Sequence, residues 1–405
     1  MNTSVLPHVL PLPEAIDSPL EVYPFREGRV ELVTRIGSRD QKLWQDCLKG
    51  HFFDSRFYEL LERTMSGQFE HYYLILRDPE GHTRSIQPFF VIPQDLIVAL
   101  PDWIRRAVNV VRRLWPNFLI LRMLMVGCSL GDGSLVVREH RRTPWHMALL
   151  HQVLPKLGRK LRVSLVIFKD FPRNSRPQLV CLRPNGYVRM PSIPCTSLDL
   201  NFSCFEDYMK KSLSHATRKN LRRKFRDAER IGRFDMEMVT DLEPFIDEIY
   251  PLYLQVFERS KMRFEILTRD YLRQLGRDFP ERARFFLWRH HGRIVAFNTC
   301  LEHEGILRDC YMGMEYPLAL EAHLYFVTIR DVFEWGMQNG IKTYLSGPLN
   351  YEPKLHLHMK LVAHDVYVRH LSNLFNPAFK VIAPLMGPTR HDPLLRKFRN
   401  FHEIL

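Results

Sequence analysis

RFFLWRHHGRIVAFNTCLEHEGILRDCYMGMEYPLALEAHLYFVTIRDVFEWGMQNGIKTYLSG, residues Arg284 to Gly347, is the stretch whose order of elements decides how this chain is read. Phe285 to Arg289 is a short apolar run, and His291-Gly292 turns it into Ile294 to Leu301, the two-residue glycine connection of a hairpin. Glu304-Gly305 makes a second turn, and Ile306 to Met312 forms a third strand. Gly313 to Glu321 reads as a loop, followed by a helix from Ala322 to Gln338 that Asn339-Gly340 stops. Leu324, Tyr325, Val327, Ile329, Val332, Phe333, Trp335 and Met337 cover most of that helix, so it lies against a sheet. Ile341 to Leu345 is the next strand, parallel to the third if the helix is a crossover, and Ser346 to Tyr351 breaks it before a further strand towards His370. A meander followed by one crossover leaves the two parallel strands adjacent at one end only, so a cleft opens where they part. The helix N-terminus, with four unpaired N–H groups and the positive end of the dipole, faces that cleft and makes a seat for a pyrophosphate. The same elements can also build a packed layer that binds nothing.

Three passages then align with a known pattern. Leu198-Asp199-Leu200 leads into Leu213-Ser214-His215-Ala216-Thr217-Arg218-Lys219-Asn220-Leu221-Arg222-Arg223-Lys224-Phe225; Asp309-Cys310-Tyr311-Met312-Gly313 lies on the third strand; and Gly347-Pro348-Leu349-Asn350-Tyr351-Glu352-Pro353-Lys354 follows the next. In these passages residues 197–371 resemble the GNAT superfamily of N-acyltransferases, specifically the FemAB-like branch that includes CelD-type acetyltransferases. The resemblance implies an α+β fold of tandem GNAT-like domains, each a mixed, mostly antiparallel sheet with a crossover helix. It also implies acetyl-CoA or another acyl-CoA as co-substrate, with no metal. One departure is plain: where an ordinary GNAT enzyme carries Arg/Gln-x-x-Gly-x-Gly/Ala before the helix, Met314 to Ala322 contains no glycine, and its Glu315 and Glu321 repel a diphosphate unless they point away.

Acyl transfer to an amine needs a base for the acceptor, donors for the oxyanion and an acid for the leaving group. Asp309 and Tyr311 alternate with Cys310 on the third strand, so both are expected on one face beside the cleft, Asp309 as the base or else as a partner of Arg308. The resemblance makes Tyr351 the first candidate acid, with Tyr325 second, and makes Lys354 the lysine at the cleft mouth, with Lys360 as fallback. Gly313, Met314, Leu320, Ala322, His323 and Tyr325 are the expected co-substrate contacts. His356, His358, His364 and Asp365 offer metal-ligand types without a completing spacing, and there is no Gly-x-Ser-x-Gly elbow for a serine hydrolase.

Charge adds an anionic partner. The chain has 405 residues and a formal net charge of +13, and the segment from Lys210 to Arg233 holds ten cations against Asp227 and Glu229, a net of +8. Met209, Leu213, Ala216, Leu221, Phe225, Ala228 and Ile231 form a stripe beneath them, so 209–232 reads as one helix with a cationic face, ended by Gly232. That face is a solvated surface, a wall for a phosphorylated ligand, with Arg218, Lys219, Arg222 and Arg223 as the contacts, or a site for nucleic acid or acidic lipid. An anionic donor and an amine acceptor are the expected partners; aminoacyl-tRNA as donor, and a non-catalytic basic module, are the alternatives, and oligomeric state stays open. No apolar run reaches spanning length, since Pro116, Asn117 and Arg122 interrupt the longest, and no signal peptide is read at Met1 to Pro13. Seven cysteines with no Cys-x-x-Cys pair fit reduced thiols in a cytoplasm.

The first half repeats the pattern without repeating the letters. Trp44 to Tyr58 seeds one or two helices, 72–76 and 84–91 pair around Glu80-Gly81, 118–126 is a strand, 145–157 a helix and 161–168 a closing strand. Gly127 to Gly133 is a glycine-rich loop that either approaches a phosphate or simply turns the chain. The expected organisation is an extension at 1–21, a degenerate GNAT-like domain at 22–196, the acyltransferase domain at 197–371, and a basic, apolar tail at 372–405 that packs on the domain or touches a membrane surface.

Overall fold

The computed structural model describes residues 19–36, 41–48, 51–95, 102–116, 118, 120–260 and 263–405; the expected N-terminal extension lies outside them except for 19–21. The chain divides into two compact units, the first running to Arg189 and regaining Tyr367–Ile382, the second made of Met190–Val366 and Ala383–Leu405.

The first unit contains strands β1 (Glu21–Phe25) and β2 (Gly28–Val33), helices α1 (Gln41–Leu48) and α2 (Ser55–Met65), strands β3 (Glu70–Arg77) and β4 (Thr83–Asp95), helix α3 (Asp102–Val111), strand β5 (Ile120–Val126), helix α4 (Thr143–Lys160), strand β6 (Leu165–Pro172), the short α5 (Arg176–Leu179) and strand β7 (Val188–Pro191). The second contains β8 (Cys195–Asp199), α6 (Phe205–Ser212), α7 (His215–Ile231), β9 (Asp235–Val239), α8 (Ile246–Arg259), α9 (Arg269–Asp278), β10 (Ala283–His290), β11 (Arg293–His303), β12 (Ile306–Met314), α10 (Leu318–Glu321), α11 (Leu324–Gln338), β13 (Thr343–Ser346), α12 (Tyr351–His356) and β14 (Lys360–Val362). Strand β15 (His364–His370) and helices α13 (Asn376–Met386) and α14 (Pro388–His391) follow.

Both sheets are mixed. The first has the order β1-β2-β3-β4-β5-β6-β15-β7 and the second β14-β8-β13-β12-β11-β10-β9. In each, an antiparallel meander meets one parallel pair, β5 with β6 across α4 and β12 with β13 across α11, which is the predicted strand order in both halves. Consecutive strands are split between the sheets: β7 joins the first and β8 the second, β14 the second and β15 the first. The units divide at Arg189/Met190, Val366/Tyr367 and Ile382/Ala383, where the expected organisation divides at 196/197 and 371/372. A strand is assigned by its hydrogen-bonded neighbours, and β15 finds them in the sheet its sequence neighbour β14 does not share.

Helix α11 buries Leu324, Val327, Ile329, Val332 and Phe333 against Phe286, Trp288, Cys300, Leu307 and Tyr344. Its polar residues are fastened as well: Asp331 accepts from the Trp288 indole at 2.9 Å, and Glu334 accepts from the Phe205 N–H at 2.6 Å. The basic segment is two helices rather than one. Ser214 caps α7 by accepting from the Thr217 N–H at 3.2 Å, so the chain breaks after Leu213, the side-chain oxygen satisfying a donor the helix leaves free.

Candidate active site

Strands β12 and β13 pair only from Ile306↔Thr343 to Asp309↔Ser346. Strand β12 then continues to Met314, while β13 ends and the chain turns away through Leu349 and Asn350, both in the left-handed region at φ 70° and 49°. The cleft predicted from the strand order therefore opens just past Asp309. In the first unit the corresponding pair stays joined to the last residue of β5, Val126↔Phe168. The glycine-rich loop there is filled by protein: a Cβ at Gly131 would lie 2.6 Å from the Phe53 ring, and one at Gly133 2.2 Å from the Lys169 carbonyl oxygen. Those glycines serve close packing.

A bulge rewrites the face on which two site residues lie. Thr299 pairs with Tyr311 and Cys300 with Asp309, so Cys310 is the extra residue of β12. One additional residue inverts the alternation. Asp309 consequently shares the α11 face with Leu307, where its Oδ2 accepts from the Tyr344 hydroxyl at 2.5 Å. Tyr311 shares the α8 face with Gly313; its hydroxyl donates to Glu265 Oε1 at 2.8 Å, and its ring stands edge-on to Tyr253 and Tyr271. The expectation that both project into the cleft side by side is corrected accordingly.

Around Asp309 the cluster is buried and charged. Burial raises its carboxyl to about 6, against the lowering effects of the Tyr344 bond and the nearby Lys354 charge. Lys354 is 4% exposed, donates to the carbonyls of Gly347 at 2.6 Å and Leu349 at 2.8 Å, and is pushed down to about 8 by burial, the Asp309 charge opposing. The left-handed turn at Leu349 and Asn350 brings those carbonyls round the ammonium. Tyr325, at the start of α11, is raised by burial and by the Asp309 charge, and its hydroxyl makes no hydrogen bond among the described residues. Tyr351 is turned elsewhere: its hydroxyl donates to the Pro194 carbonyl at 2.7 Å and its ring packs on Phe398 in a separate small core. Its proton is committed to a backbone acceptor, so of the two acid candidates Tyr325 holds the free hydroxyl. Lys360 pairs with Asp199 at 3.1 Å.

The expected co-substrate contacts divide. A Cβ at Gly313 would meet the Phe297 ring at 2.3 Å and the Tyr253 backbone nitrogen at 2.6 Å, so this glycine admits α8. Met314 and Ala322 are core, and Leu320 is exposed. His323 lies at the N-terminus of α11 with φ 49°. Glu315 is drawn out of the cleft's account by Arg293, which donates to both its oxygens at 2.8 and 2.9 Å. Of the four basic residues expected to hold phosphate, Arg218 donates to the Leu213 carbonyl at 2.7 Å, Arg222 pairs with Glu206 at 2.5 Å, and Arg223 with Asp227 at 3.5 Å, leaving Lys219 exposed. The cation that reaches the α11 N-terminus is Lys224, whose Nζ is 3.7 Å from the Phe326 ring centre and whose pKa burial lowers. Its place beside Phe225 in the same basic run was legible, but only packing distinguishes it from its neighbours. Tyr344 and Glu265 were likewise unmarked, each reading in the sequence as an ordinary strand or loop residue.

A groove of about 520 Å³ lies beside the middle of α11, with Arg222, Arg226 and Arg330 facing Glu206, Glu229, Asp331 and Glu334. Its four carboxylates outnumber its three guanidinium groups, which does not suit a polyanion. The four metal-type residues at 356–365 are not gathered; the grouping among the described residues is Asp78, Glu80 and His82, where Asp78 is held by Arg84 at 2.6 Å.

Residues 215–354 match the family described as an acetyltransferase (GNAT) domain. No curated protein matches the sequence. Among solved structures, the chain is similar to FemX at 10% identity and a TM-score of 0.50, over 86% of this chain and 99% of that one. It is also similar to L-PGS from Bacillus licheniformis at 16% identity, TM-score 0.48, over 83% and 97%, and to a tandem GNAT protein from the clavulanic acid biosynthesis pathway at 12%, TM-score 0.47, over 85% and 99%. At such identities the likeness is one of fold.

Proposed function

We propose, from the premise of an acetyltransferase (GNAT) domain at residues 215–354 within a tandem fold like that of FemX, that the chain is an acyltransferase that moves an acyl group from acyl-CoA to an amine of an amino sugar, a peptidoglycan precursor or an exopolysaccharide building block. The observation that carries the reading is the parting of β12 and β13 immediately beyond Asp309, with the α11 N-terminus and Lys224 beside it. The free N–H groups of α11 and the Lys224 ammonium suit the diphosphate of CoA. An extended pantetheine-like arm fits along the unpaired edge that β12 exposes from Cys310 to Met314. Seven unpaired thiols agree with action in a reducing cytoplasm.

In this reading Asp309 accepts the proton of the acceptor ammonium, directly or through one water, since its carboxylate is ionised above about pH 6. The amine nitrogen then bonds to the acyl carbon and the carbon–sulfur bond breaks. Lys354 supplies positive charge where the carbonyl oxygen becomes anionic, and Tyr325 protonates the departing thiolate. Tyr344 holds Asp309 in place through the 2.5 Å bond. Glu265 and Tyr311, on the opposite face, flank the route by which an acceptor reaches β12.

The test is thermal stabilisation and thiol release with acetyl-CoA, longer acyl-CoAs and RNA, each with a panel of amino sugars. Stabilisation by acyl-CoA, reduced about tenfold in affinity by Lys224→Ala, is expected for loss of one partly desolvated phosphate contact. Stabilisation by RNA alone would transfer the reading to aminoacyl-tRNA as donor, and none by either would favour a basic binding module.

A further inference from the structure

Helix α13 presents an apolar face to the outside. Leu374, Phe375, Ala378, Val381, Ile382 and Leu385 are all exposed, the five large ones between 51% and 79%. Ala378, Val381, Ile382 and Leu385, at i, i+3, i+4 and i+7, lie along one side of the helix, while Leu374 and Phe375 stand in the turn before it, the Phe375 ring 5.7 Å from that of His370. The other side is fastened to the protein: Ala383 is buried, and the Phe379 ring lies 6.1 Å from that of His370. The helix is thus held on one side, while Val381, Ile382 and Leu385 on the other are exposed among the described residues. Cations accompany it: Lys380 on the helix is exposed, and at its C-terminal end His391 Nε2 lies 2.7 Å from the Leu385 carbonyl while Arg396 donates to the carbonyl of the neighbouring Arg390 at 3.0 Å, both arginines exposed. The acidic residue among them, Asp392, is taken up by the N–H groups of Leu394 and Leu395.

The same chemistry recurs at a second place in the first unit, which also holds Tyr367–Ile382. Beyond α3, Leu114 is 94% and Trp115 64% exposed, next to exposed Val110 and Val111 and the exposed Arg106 and Arg113. No helix among the described residues is long and apolar enough to cross a membrane, so such faces can lie on a bilayer without spanning it. Apolar side chains rimmed by cations, with a tryptophan at the edge, are what the headgroup and acyl boundary of an anionic bilayer accepts. A second copy of the chain is the poorer occupant, because it would set the same cations against each other.

We infer that the outer face of α13, aided by Leu114 and Trp115, docks the protein on anionic phospholipid. Sedimentation of the full chain with vesicles tests this, using phosphatidylcholine alone or mixed with phosphatidylglycerol, at low and at high salt. Binding is expected only to the anionic vesicles, weakened by salt, and reduced by about tenfold or more in V381S/I382S/L385S. Transfer to a soluble acceptor should stay unchanged in that variant, which separates a docking defect from misfolding, and L114S/W115S should weaken binding on its own. Equal sedimentation of variant and wild type, or no binding to anionic vesicles, overturns the inference. A wild-type dimer in light scattering that the triple variant converts to monomer, without vesicle binding, assigns the face to a second copy instead.

Discussion

At the scale of single residues the chemistry gathers on Asp309, Tyr344, Lys354 and Tyr325. Asp309→Asn removes the proposed base while retaining the Tyr344 contact, and is expected to lower kcat by about 10²- to 10³-fold with the fold preserved, as read from thiol release and far-UV circular dichroism. Wild-type activity should rise with pH through about 6, the Asp309 value. Because Lys354 lowers that value, Lys354→Met should move this limb of the profile above 6, an outcome a merely structural lysine would not produce. Stability follows with definite sign. The folded Asp309 holds its proton more tightly than the usual 3.8 allows, so its ionisation costs stability above about pH 6, and that cost disappears as the pH falls towards 4. Lys354 is displaced downward from 10.5, so its charge costs stability below about 8 and the cost is relieved as the pH rises towards 10.5. In Asp309→Asn the melting temperature should lose its dependence on pH between 4 and 6; an unaltered slope would assign that dependence to other groups.

At the scale of elements, the Cys310 bulge and the fit of α8 on β12 set the cleft. The bulge divides Asp309 from Tyr311, so one strand serves two faces with different partners, Tyr344 on one and Glu265 on the other. Gly313 lets the α8 backbone approach, and a methyl group there would stand 2.6 Å from the Tyr253 nitrogen. Backbone cannot rotate aside as a side chain can, so Gly313→Ala is expected to destabilise by about 1–3 kcal/mol, measured by urea unfolding. A variant as stable as wild type would show that α8 is free to shift. Arg218 ties α7 to Leu213, just past the end of α6, and along the cationic run Lys224 lies over the Phe326 ring near the start of α11 while Arg222 and Arg226 line the groove beside its middle. Cationic composition marked this segment in the sequence, yet ion pairs with Glu206 and Asp227 occupy two of the four residues singled out there.

At the scale of the whole molecule, the two units share a strand order and differ in whether their parallel strands part. Pairing runs to the end of β5 but leaves five residues of β12 beyond Asp309 unpaired with β13. Phe53 and the Lys169 carbonyl occupy the space beside the glycine-rich loop of the first unit. Calorimetric titration should therefore find one acyl-CoA per chain, and a stoichiometry of two would show that the first unit opens as well.

By itself the sequence determined the elements and their order. Alternating and helical periodicities are local, and His291-Gly292, Glu304-Gly305 and Asn339-Gly340 punctuate them with turns that need little beyond their own residues. It pointed to the class of chemistry too, through the three passages that resemble the GNAT pattern, two of which fall within the matched residues 215–354. The hairpin of β1 and β2 and the helix α3 escaped the reading; β1 is an edge strand with no fully buried residue, while Val30 and Leu32 of β2 join the core. Only the tertiary structure decided that Asp309 and Tyr311 face apart, that Tyr351 gives its proton to Pro194, that Lys224 and not Arg218 reaches α11, and that β15 leaves the sheet of β14. Each depends on a bulge, a hydrogen-bond partner or a strand neighbour distant in the chain, and such contacts leave no periodic trace in the residues that make them.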